Sequence, residues 1–239
     1  MESVLELKDV SYAYPGHNAP AIEALSVGFP AHSFTAIVGP SGGGKSTVLK
    51  LLAGLIPPQT GEMHTDGRIS MVFQSGALLP WKTAEENVAL GLMNAGFSEH
   101  EQFAKARAAL GEVGMAQFAR ELPRDLSGGQ RQRVGIARAL VTDPDILLMD
   151  EPFSALDVET AERLHREVLS LWQRRSLTVI LVSHSLEEAV LLAQSVLVMK
   201  AGSLKKFVPV TLPYPRHLET RTMHIANEIR LLIHERDRV

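Results

Sequence analysis

The sequence predicts an α/β fold with a mainly parallel central sheet, and three observations carry that prediction. A short apolar, β-branched run, Phe34-Thr35-Ala36-Ile37-Val38, leads through a glycine-rich loop into Val48, Leu49, Leu52 and Ala53 at helical spacing. Two later runs, at 146–149 and 177–182, are apolar throughout but for Thr178, the pattern of strands buried on both faces in a parallel sheet. Between the first strand and these, about residues 75–140 read as mostly helical, an insertion within the α/β domain.

Composition narrows the chemistry. The 239 residues suffice for one large α/β domain or two small ones, and the 45% hydrophobic content is ordinary for a globular chain. A net charge of -3 supplies no general drive toward nucleic acid or anionic lipid. The absence of cysteine excludes disulfides, thiolate catalysis and cysteine zinc sites. Met1-Glu2-Ser3 does not open a secretory signal, and no run approaches the ~20 apolar residues of a membrane helix, so any work at a membrane needs another chain to hold this one there.

Taken in order, positions 4–14 alternate, with Leu5, Leu7 and Val10 set among Glu6, Lys8 and Asp9, which predicts a half-buried strand broken by Pro15-Gly16-His17-Asn18. Tyr14 at its end has two readings, a ring that stacks on a base and plain edge packing. The loop Gly39-Pro40-Ser41-Gly42-Gly43-Gly44-Lys45-Ser46-Thr47 matches the phosphate-binding pattern at every required position. Its glycines let backbone N–H groups converge, and the helix that follows adds its positive end, so a phosphate is the natural occupant. Lys45 is placed to reach the β- and γ-phosphates and the Ser46 hydroxyl to ligate Mg²⁺. Gly54 and Pro57-Pro58 end that helix.

The run at 69–73 reads as a strand that delivers Gln74. After it, Ala77-Leu78-Leu79-Pro80-Trp81 is an apolar cluster in a loop, which reads either as a docking surface or as Trp81 packing inside its own domain. Thr83 with Glu86, and Ser98 with Glu101, fit capping boxes that start two helices. A third helix starts at Ser127-Gly128-Gly129-Gln130, with Ser127 as N-cap and Val134, Ala137, Leu140 and Val141 as its apolar stripe. Glycines, a hydroxyl and a helix N-terminus make this a second anion site. Since Lys45 already grips a nucleotide, the economical inference is that this site serves the γ-phosphate bound to another subunit.

The run at 146–149 ends in Asp150 and Glu151, acids that a core strand does not carry: Asp150 suits Mg²⁺ through its water shell, and Glu151 suits a general base toward an attacking water. Asp157 caps the next helix, whose face is Ala161, Leu164, Val168, Leu171 and Trp172. His184 stands at the end of the strand 177–182, where ligands bind in open α/β sheets, just before a capping box at Ser185 and Glu188. The tail, about 206–239, is punctuated by Pro209, Pro213 and Pro215 and then predicts an amphipathic helix with Ile225, Ile229, Leu232 and Ile233, while Arg216 and Arg221 read as a solvated basic face.

With Leu126-Ser127-Gly128-Gly129-Gln130 downstream of a phosphate loop, the chain resembles the ATP-binding subunits of ABC transporters over about residues 4–205. The resemblance implies a phosphate-loop ATPase fold with a small antiparallel N-terminal sheet and an inserted helical subdomain, followed by the tail. It implies ATP and Mg²⁺ as cofactors, with Tyr14 on adenine, Gln74 sensing Mg²⁺ and the γ-phosphate, His184 contacting the γ-phosphate, and Asp157 in a loop that crosses a dimer interface. It also implies a homodimer closed on ATP, integral-membrane permease subunits, an extracytoplasmic solute-binding protein, and a peripheral place on the cytoplasmic side of the membrane. The loop Leu78-Leu79-Pro80-Trp81, Asn87-Val88 and the Pro213-Tyr214-Pro215-Arg216 tail resemble the nitrate, sulfonate and taurine import group. One departure is a short segment between Gly61 and Met71, which predicts a trimmed hairpin and a changed edge of the N-terminal sheet. Two competing classes remain. A soluble ABC-type ATPase acting on nucleic acid or ribosomes usually joins two nucleotide domains or carries long coiled-coil arms, which are missing here, and a nucleotide-sensing scaffold would be expected to lack Glu151.

Overall fold

A computed structural model describes residues 3–17 and 19–234, so Asn18, the last residue of the predicted break, lies outside the described residues. In chain order the elements are β1 (Ser3–Tyr12), β2 (Ile22–Pro30), β3 (Phe34–Val38), α1 (Lys45–Leu52), β4 (Thr60–Thr65), β5 (Ile69–Val72), α2 (Ala84–Ala89), α3 (Glu99–Glu112), α4 (Gly128–Leu140), β6 (Ile146–Asp150), α5 (Val158–Arg175), β7 (Thr178–Val182), α6 (Leu186–Leu192), β8 (Ser195–Lys200), β9 (Ser203–Pro209) and α7 (Thr220–His234). They fall into two compact units: residues up to Gly67 together with those from Leu177 onward, and Arg68–Ser176. Among the described residues no helix is long and apolar enough to cross a membrane.

The first unit holds both kinds of sheet that the patterning predicts. β1 runs antiparallel between β2 and β4, with Leu7 opposite Val27 on one side and Met63 on the other. Leu5 and Leu7 alternate into the buried face of β1, a register shift at Asp9 (φ 52°) lets Val10 be buried as well, and the strand stops at Tyr12, leaving Tyr14 in the turn beyond it. The short segment after Gly61 still forms an edge strand, β4, which is almost wholly exposed and polar, so it presents little to a stray strand. β3 lies parallel to β7 and to β8, pairing Ala36 with Leu181 and with Val196, and all residues of β3 and β7 are buried. That two-sided burial explains why these runs carry no polar alternation. β9 closes this part of the sheet antiparallel to β8.

Local chemistry ends α1 as its sequence demands. Gly54 takes a left-handed φ of 67° and donates to Leu51 O (2.9 Å), while Leu55 N–H donates to Lys50 O (2.9 Å). These two bonds satisfy carbonyls that a helix end otherwise leaves open.

The second unit pairs β5 with β6 in parallel, Met71 beside Leu148, and builds its helices around Val88, Leu110, Val134, Ile136, Leu140, Leu164 and Val168. The capping boxes at Thr83 and Glu86 and at Ser98 and Glu101 are both formed. At Ser185 only half of the expected box exists: its Oγ accepts from Glu188 N–H (3.1 Å), but the Glu188 carboxylate turns to Ser183 Oγ (2.5 Å) instead. Ser183 is buried, and its hydroxyl is the nearer, dehydrated partner for that carboxylate.

Candidate nucleotide and partner sites

The phosphate loop and its helix form as one piece in the first unit. Gly39 adopts φ 155°, and a Cβ there would lie 2.2 Å from Met199 O; Gly44 adopts φ 93°, and a Cβ there would lie 2.6 Å from Ala21 O. Both positions therefore need glycine to let the loop pass between β8 and the start of β2. The ladder of α1 opens with Val48 N–H to Gly44 O (2.9 Å), so the amides of the first turn stand ahead of the helix's own bonds, where phosphate oxygens accept. The Lys45 side chain is only 8% exposed, and its ammonium lies 3.0 Å from Gly39 O and 2.9 Å from Pro40 O, folded over the loop it serves. Ser46 and Thr47 follow on the same turn. Converging amides, an ammonium and a hydroxyl are the donor set that a nucleotide triphosphate with Mg²⁺ requires, so the residues fit the group.

Tyr14 sits beside this turn. Its hydroxyl is 3.4 Å from Thr47 Oγ1, its ring meets Tyr12 edge-on at 5.0 Å, and the Lys50 ammonium lies 5.8 Å from its centroid. His184 is exposed in the turn between β7 and α6, with Ser183 N–H bound to Ile37 O (3.2 Å) and Ser185 N–H to Ser183 Oγ (2.9 Å).

In the second unit, β6 delivers Asp150 and Glu151 to its carboxyl end. Glu151 has a left-handed φ of 45°, a conformation disfavoured for a residue with a side chain and found at functional turns. Gln74 Nε2 donates to Ser154 Oγ (3.0 Å) and lies 3.4 Å from Glu151 Oε2, and Ser154 Oγ donates to Glu151 O (3.0 Å). The glutamine at the end of β5 and the carboxylate at the end of β6 are thus joined through a short polar chain.

Ser127 caps α4: its Oγ accepts from Gln130 N–H (3.2 Å), and Gln130 Oε1 accepts from Ser127 N–H (2.7 Å). Gln130 therefore closes a capping box with Ser127, the three-residue spacing that such a box requires, and the Ser127 O–H keeps its donor. Asp157 accepts from Thr160 N–H (2.9 Å), and that backbone bond holds its carboxyl below the usual aspartate range.

Sequence reasoning missed a set of ties between α4 and the segment after Gln74. Gln132 Nε2 donates to Phe73 O (3.3 Å), and the Arg138 guanidinium donates to Gly76 O (2.6 Å) and Ala77 O (2.8 Å). Burial pulls the Arg138 pKa down, and the carbonyls of Gly76 and Ala77 take the hydrogen bonds of the guanidinium. Arg138, Ile69, Met71, Phe73, Leu79 and Leu90 line an open groove of about 390 Å³. Trp81, two residues after Leu79, is 71% exposed, which removes the reading of this tryptophan as core. The loop that presents it is pinned from beneath by Asn87, fully buried, whose amide reaches Leu79 O, Lys82 O and Thr83 O and accepts from Leu79 N–H (2.7 Å).

Residues 22–154 match the family described as ABC transporter. The chain belongs to the ABC transporter family. It is 40% identical over 237 residues to the nitrate import ATP-binding protein NrtD of Synechocystis sp., covering 94% of this chain and 89% of the relative. It is likewise 43% identical over 205 residues to the taurine import ATP-binding protein TauB of Pseudomonas syringae pv. tomato, covering 82% and 78%. Among solved structures, the dimeric post-hydrolysis state of the ATP-binding cassette MJ0796 bound to ADP and Pi superposes with TM-score 0.79 at 31% identity, covering 87% of this chain and all of that one. The fold is that of an ABC ATPase cassette, an α/β phosphate-loop architecture with a small antiparallel sheet and inserted helices.

Proposed function

We propose that this chain is the ATP-hydrolysing subunit of a membrane importer for nitrate, a sulfonate, taurine or a similarly small solute. It would work on the cytoplasmic side as a homodimer attached to integral-membrane permease subunits, in a system that includes an extracytoplasmic solute-binding protein. The observation that carries the reading is the chain of hydrogen bonds from Gln74 to Ser154 and Glu151, because it joins the loop beside the exposed Trp81 to a carboxylate suited to activate water. In this reading Lys45 and the loop amides hold the phosphates, Ser46, Asp150 and Gln74 face Mg²⁺, which offsets phosphate charge when bound, and Tyr14 stacks on the adenine. The segment 127–130 of one copy and Asp157 complete the site of the other, and His184 contacts the γ-phosphate. Glu151 accepts a hydrogen bond from the attacking water and takes its proton.

The test uses Glu151→Gln, which should bind ATP but turn over about 10²–10⁴-fold more slowly, the usual worth of a positioned base. Slow turnover should trap an ATP-dependent dimer of that variant, visible by size-exclusion chromatography. Adding Ser127→Arg should abolish the dimer while the monomer still binds ATP. Near-normal hydrolysis by Glu151→Gln removes the base from its role, and a persistent dimer with Ser127→Arg overturns the shared site.

A further inference from the structure

The tail after β9 does something that its basic, proline-rich sequence did not suggest. Arg216, expected on a solvated face, instead donates to four backbone carbonyls: Leu212 O (2.9 Å), Val190 O (2.8 Å), Val210 O (3.1 Å) and Ala193 O (2.5 Å). The Tyr214 hydroxyl donates to Leu192 O (2.6 Å), and the Arg216 guanidinium stacks 4.1 Å from the Tyr214 ring centroid. Burial raises the Tyr214 pKa to about 12, so the phenol is a donor at any physiological pH. Val190, Leu192 and Ala193 are the end of α6, whose carbonyls have no acceptor role left inside the helix. A guanidinium at that end also meets the negative pole of the helix.

At the amino end of α6, Glu187 accepts from Arg230 of α7 (2.7 Å), and buried Ala226 and Ile229 fix α7 in place. So α6 is held from the tail at both ends. This matters because α6 is only seven residues long, below the length at which a helix sustains itself. Its N-cap is Ser185, and the residue before that is His184.

We propose that Tyr214 and Arg216 are positioning residues for His184: by capping the carboxyl end of α6 they hold the histidine at its amino end where the γ-phosphate is contacted. The inference rests on the role assigned to His184 above. A rigid element about 10 Å long transmits a slip at one end to the other, and a misplacement of about 1 Å at a reacting centre can cost on the order of 10²-fold in rate. Lysine cannot replace the fork of Arg216, since Nη1 serves Val190 O and Ala193 O at the end of α6 while Nε and Nη2 reach Leu212 O and Val210 O of the tail, and one ammonium does not cover both sides at once.

The experiment is a double-mutant cycle on the purified full chain, with steady-state turnover, ATP affinity and melting temperature measured for each variant. Arg216→Lys should lower kcat by roughly 10-fold or more while leaving the ATP dissociation constant within about twofold. Tyr214→Phe, which deletes one hydroxyl and keeps the ring, should lower it by about 2- to 10-fold, the rate equivalent of one hydrogen bond, and serves if the arginine variant does not fold. In a His184→Ala background neither change should lower kcat further, because the residue they position is gone. Unchanged kcat per folded molecule in both variants overturns the proposal, as does a loss that adds in full to that of His184→Ala, an outcome that leaves the histidine's own role standing. Normal turnover by His184→Ala alone removes the histidine's role, and the positioning proposal falls with it.

Discussion

Replacing Asn87 by alanine should loosen the loop that carries Trp81 without touching nucleotide chemistry, and the structure sets the size of the effect. The Asn87 side chain is fully buried and serves Leu79 O (3.1 Å), Lys82 O (2.9 Å), Thr83 O (2.9 Å) and Leu79 N–H (2.7 Å). Two of these keep a partner in the variant: Leu79 O still accepts from Lys82 N–H (3.2 Å), and Thr83 O from the backbone N–H of position 87 (2.9 Å). Leu79 N–H and Lys82 O lose what Asn87 supplied. A buried group stripped of its partner costs about 1–3 kcal/mol, and because this loop is partly wet the lower half of that range applies to each, so the total is about 2–4 kcal/mol. Equilibrium urea unfolding, read as midpoint and slope, measures it. The matched comparison is Trp81→Ala: a side chain 71% exposed contributes little to the fold, so stability should stay within about 0.5 kcal/mol, while permease binding falls by on the order of 2 kcal/mol, the scale of an interface anchor. Co-purification with the permease and transport in cells report the second quantity. An Asn87→Ala protein within about 1 kcal/mol of wild type would refute the hydrogen-bond accounting, and a Trp81→Ala protein that assembles and transports normally would refute the docking role.

Two further outcomes follow from single side chains. Lys45→Ala removes the ammonium folded over Gly39 O and Pro40 O, so ATP affinity itself should drop, which equilibrium nucleotide binding checks; a wild-type dissociation constant would mean that the loop amides suffice without it. Asp145 accepts from Arg68 N–H (2.8 Å), and this bond, with the Arg68 charge, holds its carboxyl below the ordinary aspartate value. A carboxyl depressed in the folded state contributes fully above its unfolded value and loses that contribution as pH falls through its folded value, so Asp145→Asn should flatten the acid limb of stability below about pH 4 and leave pH 7 to 8 unchanged in slope. Equal acid midpoints for the two proteins would assign the acid sensitivity to other carboxyls.

Much of the fold and of the candidate site was legible because the residues concerned answer to local geometry or to a ligand. The buried runs of β3, β6 and β7 announce a two-sided sheet by their lack of polar alternation, and the caps at Thr83, Ser98, Ser127 and Asp157 pair residues only three apart. Lys45, Ser46, Asp150 and Glu151 stand out as candidates for a different reason: phosphate, Mg²⁺ and water have fixed chemistry, so the residue types and spacing that would serve them are few. What the sequence hid shares another physical property. Asn87, Gln132, Arg138, Tyr214 and Arg216 all direct their side chains at main-chain carbonyls, and every residue has a carbonyl. Such a contact places no demand on the identity of its partner, so no second letter in the sequence betrays it. The separations make this concrete: Gln132 reaches back 59 residues to Phe73, and Arg138 reaches 62 to Gly76. Arg216 reads as solvated because a charged residue in a mildly basic stretch defaults to water; its actual partner is the open end of a helix that ends 24 residues earlier, at Leu192. An unexplained short helix followed by an arginine after a tight, proline-bounded turn is therefore the one sequence clue that could have exposed the tail's role, since the helix end must find donors somewhere and a five-donor guanidinium is the side chain best able to supply several at once.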